Sequence, residues 1–431
     1  MLKAGQKYNA IWRQIHRINY KILNAKAILA YTPYQTLESR QMLADILNTP
    51  NEHKKHIQRF SNAVSCQMVY GFRTTSWSDP KLQAVVSIFY ELGDLAVSIP
   101  ARLMDCYPIL RSIPKRLLPV CRKGMDLDRR CSSMFLLRWL EGKQKVQDGT
   151  AVPCFTVSLV QAQQAEGFSD ELVSYIVGDV MEAGSNTTSD ELFGFLMAMV
   201  THPDVQRRAQ EEIDSVIGTD RLPTIEDMPM LPYIRGCVKE TLRWMPTAAL
   251  LVPHSPIKDD FYHDYLIPAG SSVVLNVWAL NKDPKVWPDP QRFDPLRFAN
   301  EKRTEHEIAT SGDMSRPRHN FVFGAGRRIC QGIHIAERSL FLSMACLLWA
   351  FDITTPDPNK IDTEDLRGGL AVVPAPFECN IKPRDSRRAE VIKNEWAQQQ
   401  DDFLDPITKQ WIRVPDGLPL STYTDQVINK F

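Results

Sequence analysis

Residues 321–332 read "FVFGAGRRICQG", with one cysteine, Cys330, set among three glycines and two arginines. Packing alone does not require that combination. A cysteine serves as ligand or nucleophile in its thiolate form, and positive charge, backbone N–H groups and helix N-termini all favour that form. Cys330 has a candidate for each, since Arg327 and Arg328 precede it and a helical apolar pattern begins near Ile333. Gly324, Gly326 and Gly332 permit the turns and close backbone approach that a flat cofactor demands. Arg328 is better placed to reach carboxylates on such a cofactor than the sulfur itself. The plain alternative is a buried cysteine in a glycine-rich turn. A zinc site built on Cys330 and His334 lacks further ligands at workable spacing.

The 431 residues are 44% hydrophobic and 24% charged, enough to bury a large core. Lys plus Arg equals Asp plus Glu at 51 each, so no net charge draws nucleic acid as a partner. The nine cysteines form no C-x-x-C pair, which suits a reducing compartment. The opening "MLKAGQKYNAIWRQIHR" has no apolar h-region, and the run "LFLSMACLLWAF" (340–351) is shorter than a bilayer span. No signal or anchor is visible in this chain.

Working outward, helical spacing runs from Trp12 to about Leu47, and the chain reads as mostly helical to about Gln147. The proline-rich "SIPARLMDCYPILRSIP" (98–114) reads as a loop. Ser169, followed by Asp170 and Glu171, starts a long central helix that runs to Val200. Two more helices follow, one from Pro203 to Gly218 and one over "PYIRGCVKETLRWM" (232–245). Between Leu250 and Leu280 the composition turns to β-formers, which predicts a small sheet. Residues 281–320 form a long functional loop, and a helix spans about Ile333 to Ala350. The expected fold is mainly α with a minor β region, with a catalytic domain over residues 1–385 and a polar, weakly patterned tail of no assigned role over 386–431.

Phe323, Gly326, Arg328, Cys330 and Gly332 match F-x-x-G-x-R-x-C-x-G at every fixed position. The stretch resembles the haem-binding signature of the cytochromes P450. The resemblance implies haem b, with the Cys330 thiolate as axial iron ligand, Arg328 on a propionate, and Phe323, Gly326 and Gly332 shaping the loop. "KETLR" resembles the family's E-x-x-R, here Glu240 and Arg243, joined by Arg297 of "FDPLRF", where Leu296 stands in place of the usual Glu. "AGSNTT" (183–188) resembles [A/G]-G-x-[D/E]-T-T. Gly184 then marks a local opening or the close approach of something flat, and Thr187 supplies the hydroxyl that serves dioxygen and its protonation. Asn186 replaces the usual carboxylate, and an amide carries no proton at neutral pH. Glu182, one turn earlier, or a water chain is expected to take over the relay. For the propionates the resemblance also offers His254 in "LLVPHSP" and Trp12 in "WRQIHR", where His16 holds the place of the family's arginine and Arg17 comes one residue later.

The resemblance covers about Gly5 to Arg384. Family members carry a longer segment before this tryptophan, so the chain reads as a P450 fold lacking the usual N-terminal anchor, first strands and B helix, with an unpaired edge among the β-formers of 250–280. The implied function is a haem-thiolate monooxygenase that takes electrons from NADPH through a reductase and places one oxygen atom from O2 in a hydrophobic small molecule. "TAALLV" (247–252) and "GGLAVV" (368–373), at the family's substrate-contacting positions, are small and apolar. "VMEAGSNTTS", "RWMPTAALLVPH" and "NVWALNKDP" resemble fungal P450s of secondary metabolism, near the O-methylsterigmatocystin oxidoreductase group. The location implied is the endoplasmic reticulum membrane. Two alternatives stand: a truncated, inactive relative, and a haem-thiolate isomerase or dehydratase, against which Thr187 argues.

Overall fold

Asn9 opens the first helix as its cap, its side-chain oxygen accepting the Trp12 N–H at 2.8 Å. The structure, a computed structural model, describes residues 8–312, 318 and 320–414. Helix α1 (Ala10–Leu23) buries a stripe of Trp12, Ile15, Ile18 and Ile22. Helices α2 (Thr32–Asn48) and α3 (His53–Tyr70) follow, and Gly71 ends α3 with φ of 75°. Next come α4 (Pro80–Val97), α5 (Ile99–Cys106), α6 (Pro119–Gln147) and α7 (Phe155–Glu166). The central helix α8 (Asp170–Thr201) begins where expected: the Ser169 hydroxyl accepts the Leu172 N–H, and two acids occupy the first turn. Helices α9 (Pro203–Val216) and α10 (Pro232–Trp244) each start on a proline.

The remaining elements are strands β1 (Asp260–Tyr262) and β2 (Tyr265–Ile267), helices α11 (Val277–Asn281), α12 (Glu305–Thr310) and α13 (Ile333–Ala350), strands β3 (Phe351–Thr354), β4 (Leu366–Gly368), β5 (Val372–Pro374) and β6 (Asn380–Pro383), and helix α14 (Ser386–Phe403). The strands form three antiparallel pairs, β1–β2, β3–β6 and β4–β5. The fold is thus mainly α with a minor β region, as expected. Helix α8 is its axis, with α3, α4, α6, α10 and α13 packed around it. Two glycines allow that closeness. A Cβ on Gly178 would stand 2.2 Å from the Phe135 ring of α6, and one on Gly184 would stand 2.5 Å from Ser65 Oγ of α3.

Three expectations change. Residues 99–106 are helix, not loop: Ser98 caps the turn and Pro100 sits in its first turn, where a missing N–H costs nothing. The sheet expected over 250–280 is only the exposed β1–β2 hairpin and one bridge between His254 and Val273, because "NVWAL" turns into α11. The segment after residue 385 is patterned as far as 414. Val391 and Ile392 of α14 are buried against the body, Trp411 Nε1 donates to Gln67 Oε1 at 2.6 Å, and Arg73 Nη1 donates to the Lys409 carbonyl at 2.7 Å. Arg73 and Arg59 also hold Glu38, a fully buried carboxylate of α2. Helix α13 is the one described helix that is by itself long and apolar enough to cross a bilayer, and most of it is buried inside the fold. Residues 415–431 of the expected tail lie outside the described residues.

Candidate active site

A cavity of about 520 Å³ lies between the cysteine loop, the start of α13, and the facing sides of α1, α3, α4 and α8, with the β4–β5 turn also on its wall. Gly324 and Gly326 sit at φ of 73° and 61°, a left-handed conformation that side chains rarely adopt, which is why this loop needs glycine there. Gly332 has an ordinary φ and begins α13 as its N-cap residue. The loop is tied internally: the Gly324 N–H donates to the Phe321 carbonyl and the Cys330 N–H to the Phe323 carbonyl, both at 2.8 Å. Cys330 is exposed and, among the described residues, is the only cysteine on the cavity wall. Burial drives other thiols away from ionisation, pushing Cys66 and Cys154 up to about 11 and Cys131 and Cys379 up to about 12.

Cations and aromatic edges gather beside Cys330. The Arg328 guanidinium lies 4.3 Å from the centre of the Trp12 ring, and Arg327 lies 4.6 Å from that of Tyr8. His16 packs on Trp12 with ring centres 4.8 Å apart, and both line the cavity. Arg17 is drawn elsewhere, to Glu166 at 3.3 Å. Helix α1 therefore brings Trp12 and His16 to the wall, and buried carboxylates need that kind of partner. His254 is not brought there. Its backbone is committed to Val273 in both directions at 2.8 Å, it follows a turn at Leu251 with φ of 52°, and its exposed side chain is not part of the cavity wall.

On α8 the sequence expectations separate. Thr187 faces the cavity and donates its hydroxyl hydrogen to the Ala183 carbonyl at 2.7 Å. Gly184 also faces the cavity, but α8 runs through it unbroken, so the expected opening is absent. The close neighbour is α3, whose Ser61 hydroxyl donates to the Gly184 carbonyl at 2.9 Å. Asn186 is not on the cavity wall. It is fully buried, and neither its amide oxygen nor its nitrogen has a hydrogen-bond partner among the described residues. Glu182 is on the wall, and burial together with neighbouring Asp179 pushes it up to about 7.

Glu240, Arg243 and Arg297 meet as the sequence suggested. Arg243 grips both oxygens of Glu240 at 2.6 and 2.7 Å, and Arg297 Nε reaches Oε1 at 3.3 Å. Leu296, the departure from the family pattern, is not needed for these contacts.

The sequence reading passed over Asp190 and Glu191, two consecutive acids in the apolar run "SDELFGFL". Glu191 Oε1 accepts the Thr247 N–H at 2.9 Å and so pins the "TAALLV" segment to α8. Thr247 Oγ1 in turn donates to the Val372 carbonyl at 3.0 Å, joining the two apolar segments of the wall. Tyr90, another wall residue, donates to Asp190 Oδ1 at 3.0 Å. Burial lifts Asp190 from 3.8 to about 8, so the folded protein holds a proton there that the unfolded chain releases. Its burial then costs stability increasingly as pH rises from about 4 to about 8. Asp190→Asn is expected to raise the melting temperature by at least about 2 °C at pH 8 and by less at pH 5. Thermal melts at the two pH values test this, and an equal shift at both would place the proton elsewhere.

Comparison with known proteins agrees with this geometry. The family model for Cytochrome P450 matches residues 5–381. The cytochrome P450 monooxygenase virE of Hypocrea virens is 42% identical over 421 residues, which cover 96% of this chain and 76% of the relative. The cytochrome P450 monooxygenase fsoB of Humicola fuscoatra is 43% identical, over 96% of this chain and 77% of its own length. Among solved structures, a zebra fish cytochrome P450 with progesterone superposes with a TM-score of 0.70 at 24% identity, covering 88% of this chain and 84% of the other, a likeness of fold.

Proposed function

The chain belongs to the cytochrome P450 family, a family of haem-thiolate oxidoreductases, and from that premise we propose that it is a monooxygenase that inserts one oxygen atom from O2 into a hydrophobic small molecule, in secondary-metabolite biosynthesis. The observation that carries this reading is that one cavity is lined by both Cys330 and Thr187. The residues fit the cofactor, with an exposed thiol on a loop shaped by left-handed glycines and Arg327, Arg328, His16 and Trp12 beside it for the propionates. When bound, haem with a thiolate ligand supplies the binding and reductive splitting of dioxygen.

The protein's own part is placement and protons. Cys330 holds the iron, and Arg328 with Trp12 orients the cofactor edge. Thr187 gives up its bond to Ala183 to offer its hydroxyl toward the cavity. Glu182 lies five residues before Thr187, about 140° round the helix. A proton passing from it to Thr187 therefore needs at least one bridging water. Phe89, Leu92, Val180, Ala248 and Leu370 give the substrate an apolar surround. Electrons come from NADPH through a reductase at the endoplasmic reticulum membrane. Exposed Ile99, Ile109 and Leu117, interleaved with Arg102, Arg111, Lys115 and Arg116, support a membrane location.

The test is the absorption of the purified, dithionite-reduced protein with and without carbon monoxide, followed by turnover of apolar substrates with reductase and NADPH. A strongly red-shifted Soret band with NADPH-dependent product is expected. A band at the position of a histidine-ligated haem, or none, would overturn the proposal.

A further inference from the structure

Glu182 is 5% exposed, lies on the cavity wall, and leaves its Oε2 without a hydrogen-bond partner among the described residues. A buried carboxyl oxygen in that state is costly, and native structures rarely leave one so. No described residue satisfies it. No described Lys, Arg or His forms an ion pair with Glu182; Asp179 lies one turn earlier on α8, and Cys131 faces it from α6. Tyr90 of α4 is already engaged with Asp190. The same wall carries apolar Val180 of α8, Phe89 and Leu92 of α4 and Leu370 of the β4–β5 turn, beside the hydroxyls of Ser61, Ser65, Thr187 and Thr188. A carboxyl with an unmet oxygen on a largely apolar wall is the kind of group that fixes a ligand's orientation.

We propose that Glu182 is a specificity-determining residue whose carboxyl receives a hydroxyl group carried by an otherwise apolar substrate. The proposal rests on the monooxygenase reading and names its substrate class. Glu182 lies about 7.5 Å along the helix axis from Thr187. A substrate anchored there by a hydroxyl presents to Thr187 a carbon at least a ring's width away from that hydroxyl. Because Glu182 is pushed up to about 7, both of its forms are present near neutrality. A hydroxyl can bond to either, donating to the carboxylate or accepting from the acid.

The test uses the haem-loaded protein and three probes of one shape: naphthalene, 2-naphthol and 2-methoxynaphthalene. Dissociation constants are measured by calorimetry for the wild type, Glu182→Gln and Glu182→Leu. The wild type is expected to bind 2-naphthol about tenfold more tightly than either other probe. That preference should vanish in Glu182→Leu and persist in part in Glu182→Gln, whose amide oxygen still accepts. Equal binding of the three probes by the wild type overturns the proposal, as does a naphthol preference that survives Glu182→Leu. Should the leucine variant fail to fold, the wild-type comparison and the glutamine variant decide. The reduced carbon monoxide spectrum is recorded on the same preparations. A normal thiolate band without naphthol preference refutes the role of Glu182 alone, whereas a missing band refutes the monooxygenase reading itself.

Discussion

Cys330→Ser abolishes the red-shifted Soret band of the reduced carbon monoxide complex and lowers oxygenation by at least about a thousandfold, the scale on which loss of one member of a catalytic unit falls. It does so without unfolding the protein. The side chain is exposed on the cavity wall, so its sulfur contributes little to the core. The loop is held by backbone bonds that serine keeps, from the Cys330 N–H to Phe323 and the Gly324 N–H to Phe321. Serine removes the ionisable thiol and with it the electron-donating ligand. The melting temperature of the haem-free protein should therefore move by less than about 2 °C, since surface changes of this size are worth about 0.5 kcal/mol or less. The same exchange at Cys237 or Cys346, both fully buried, should instead cost stability and spare the spectrum. Spectra and melts of the three variants separate the ligand from the packed cysteines.

The cysteine loop was legible in sequence because its chemistry is local: two glycines at positive φ, an arginine and a cysteine at fixed spacing leave little freedom. Glu240 and Arg243 were legible for the same reason, being one helical turn apart. What escaped was set by distant partners. Gly184 was read as a local opening or the close approach of something flat, and only the fold shows that Ser65 of α3 occupies that space. Asn186 was paired with Thr187 by motif, although the fold buries Asn186 completely and leaves only Thr187 of the two on the cavity wall. His254 looked available because nothing in the sequence reveals that its backbone is paired with Val273. The proline-rich stretch hid α5 because proline breaks a helix interior but is tolerated in a first turn. Helix α14 carries few apolar residues, and Val391 and Ile392 become significant only once α2 is beside them.

Arg243→Ala is expected to cost about 3–5 kcal/mol, the penalty for removing one partner of a buried ion pair. Arg243 and Glu240 are both fully buried, and the guanidinium does more than neutralise the acid. Its Nη1 donates to the carbonyls of Asn281 at 2.8 Å and Pro290 at 3.0 Å, and its Nη2 reaches that of Arg292 at 3.3 Å. It thereby ties α10 to the otherwise irregular segment 281–297, which has little regular structure of its own. Alanine leaves those carbonyls and the Glu240 carboxylate in the interior, with Arg297 at 3.3 Å and the Asp294 N–H at 2.8 Å as the remaining partners of Glu240. Against a total stability of about 5–15 kcal/mol the loss is large. Arg243→Lys should rescue little, since a point ammonium cannot reproduce a two-pronged grip plus three carbonyl contacts. The double change Glu240→Leu with Arg243→Met should be less destabilised than Arg243→Ala, because the charge that then lacks its ion partner, Arg297, keeps the carbonyls of Pro288 and Asp289, both at 2.7 Å. Denaturant titrations of the four proteins test the order. If Arg243→Ala unfolds at the wild-type midpoint, the pair contributes nothing to the fold, and segment 281–297 is held by other contacts such as the Trp244 indole on the Gln291 carbonyl at 2.6 Å.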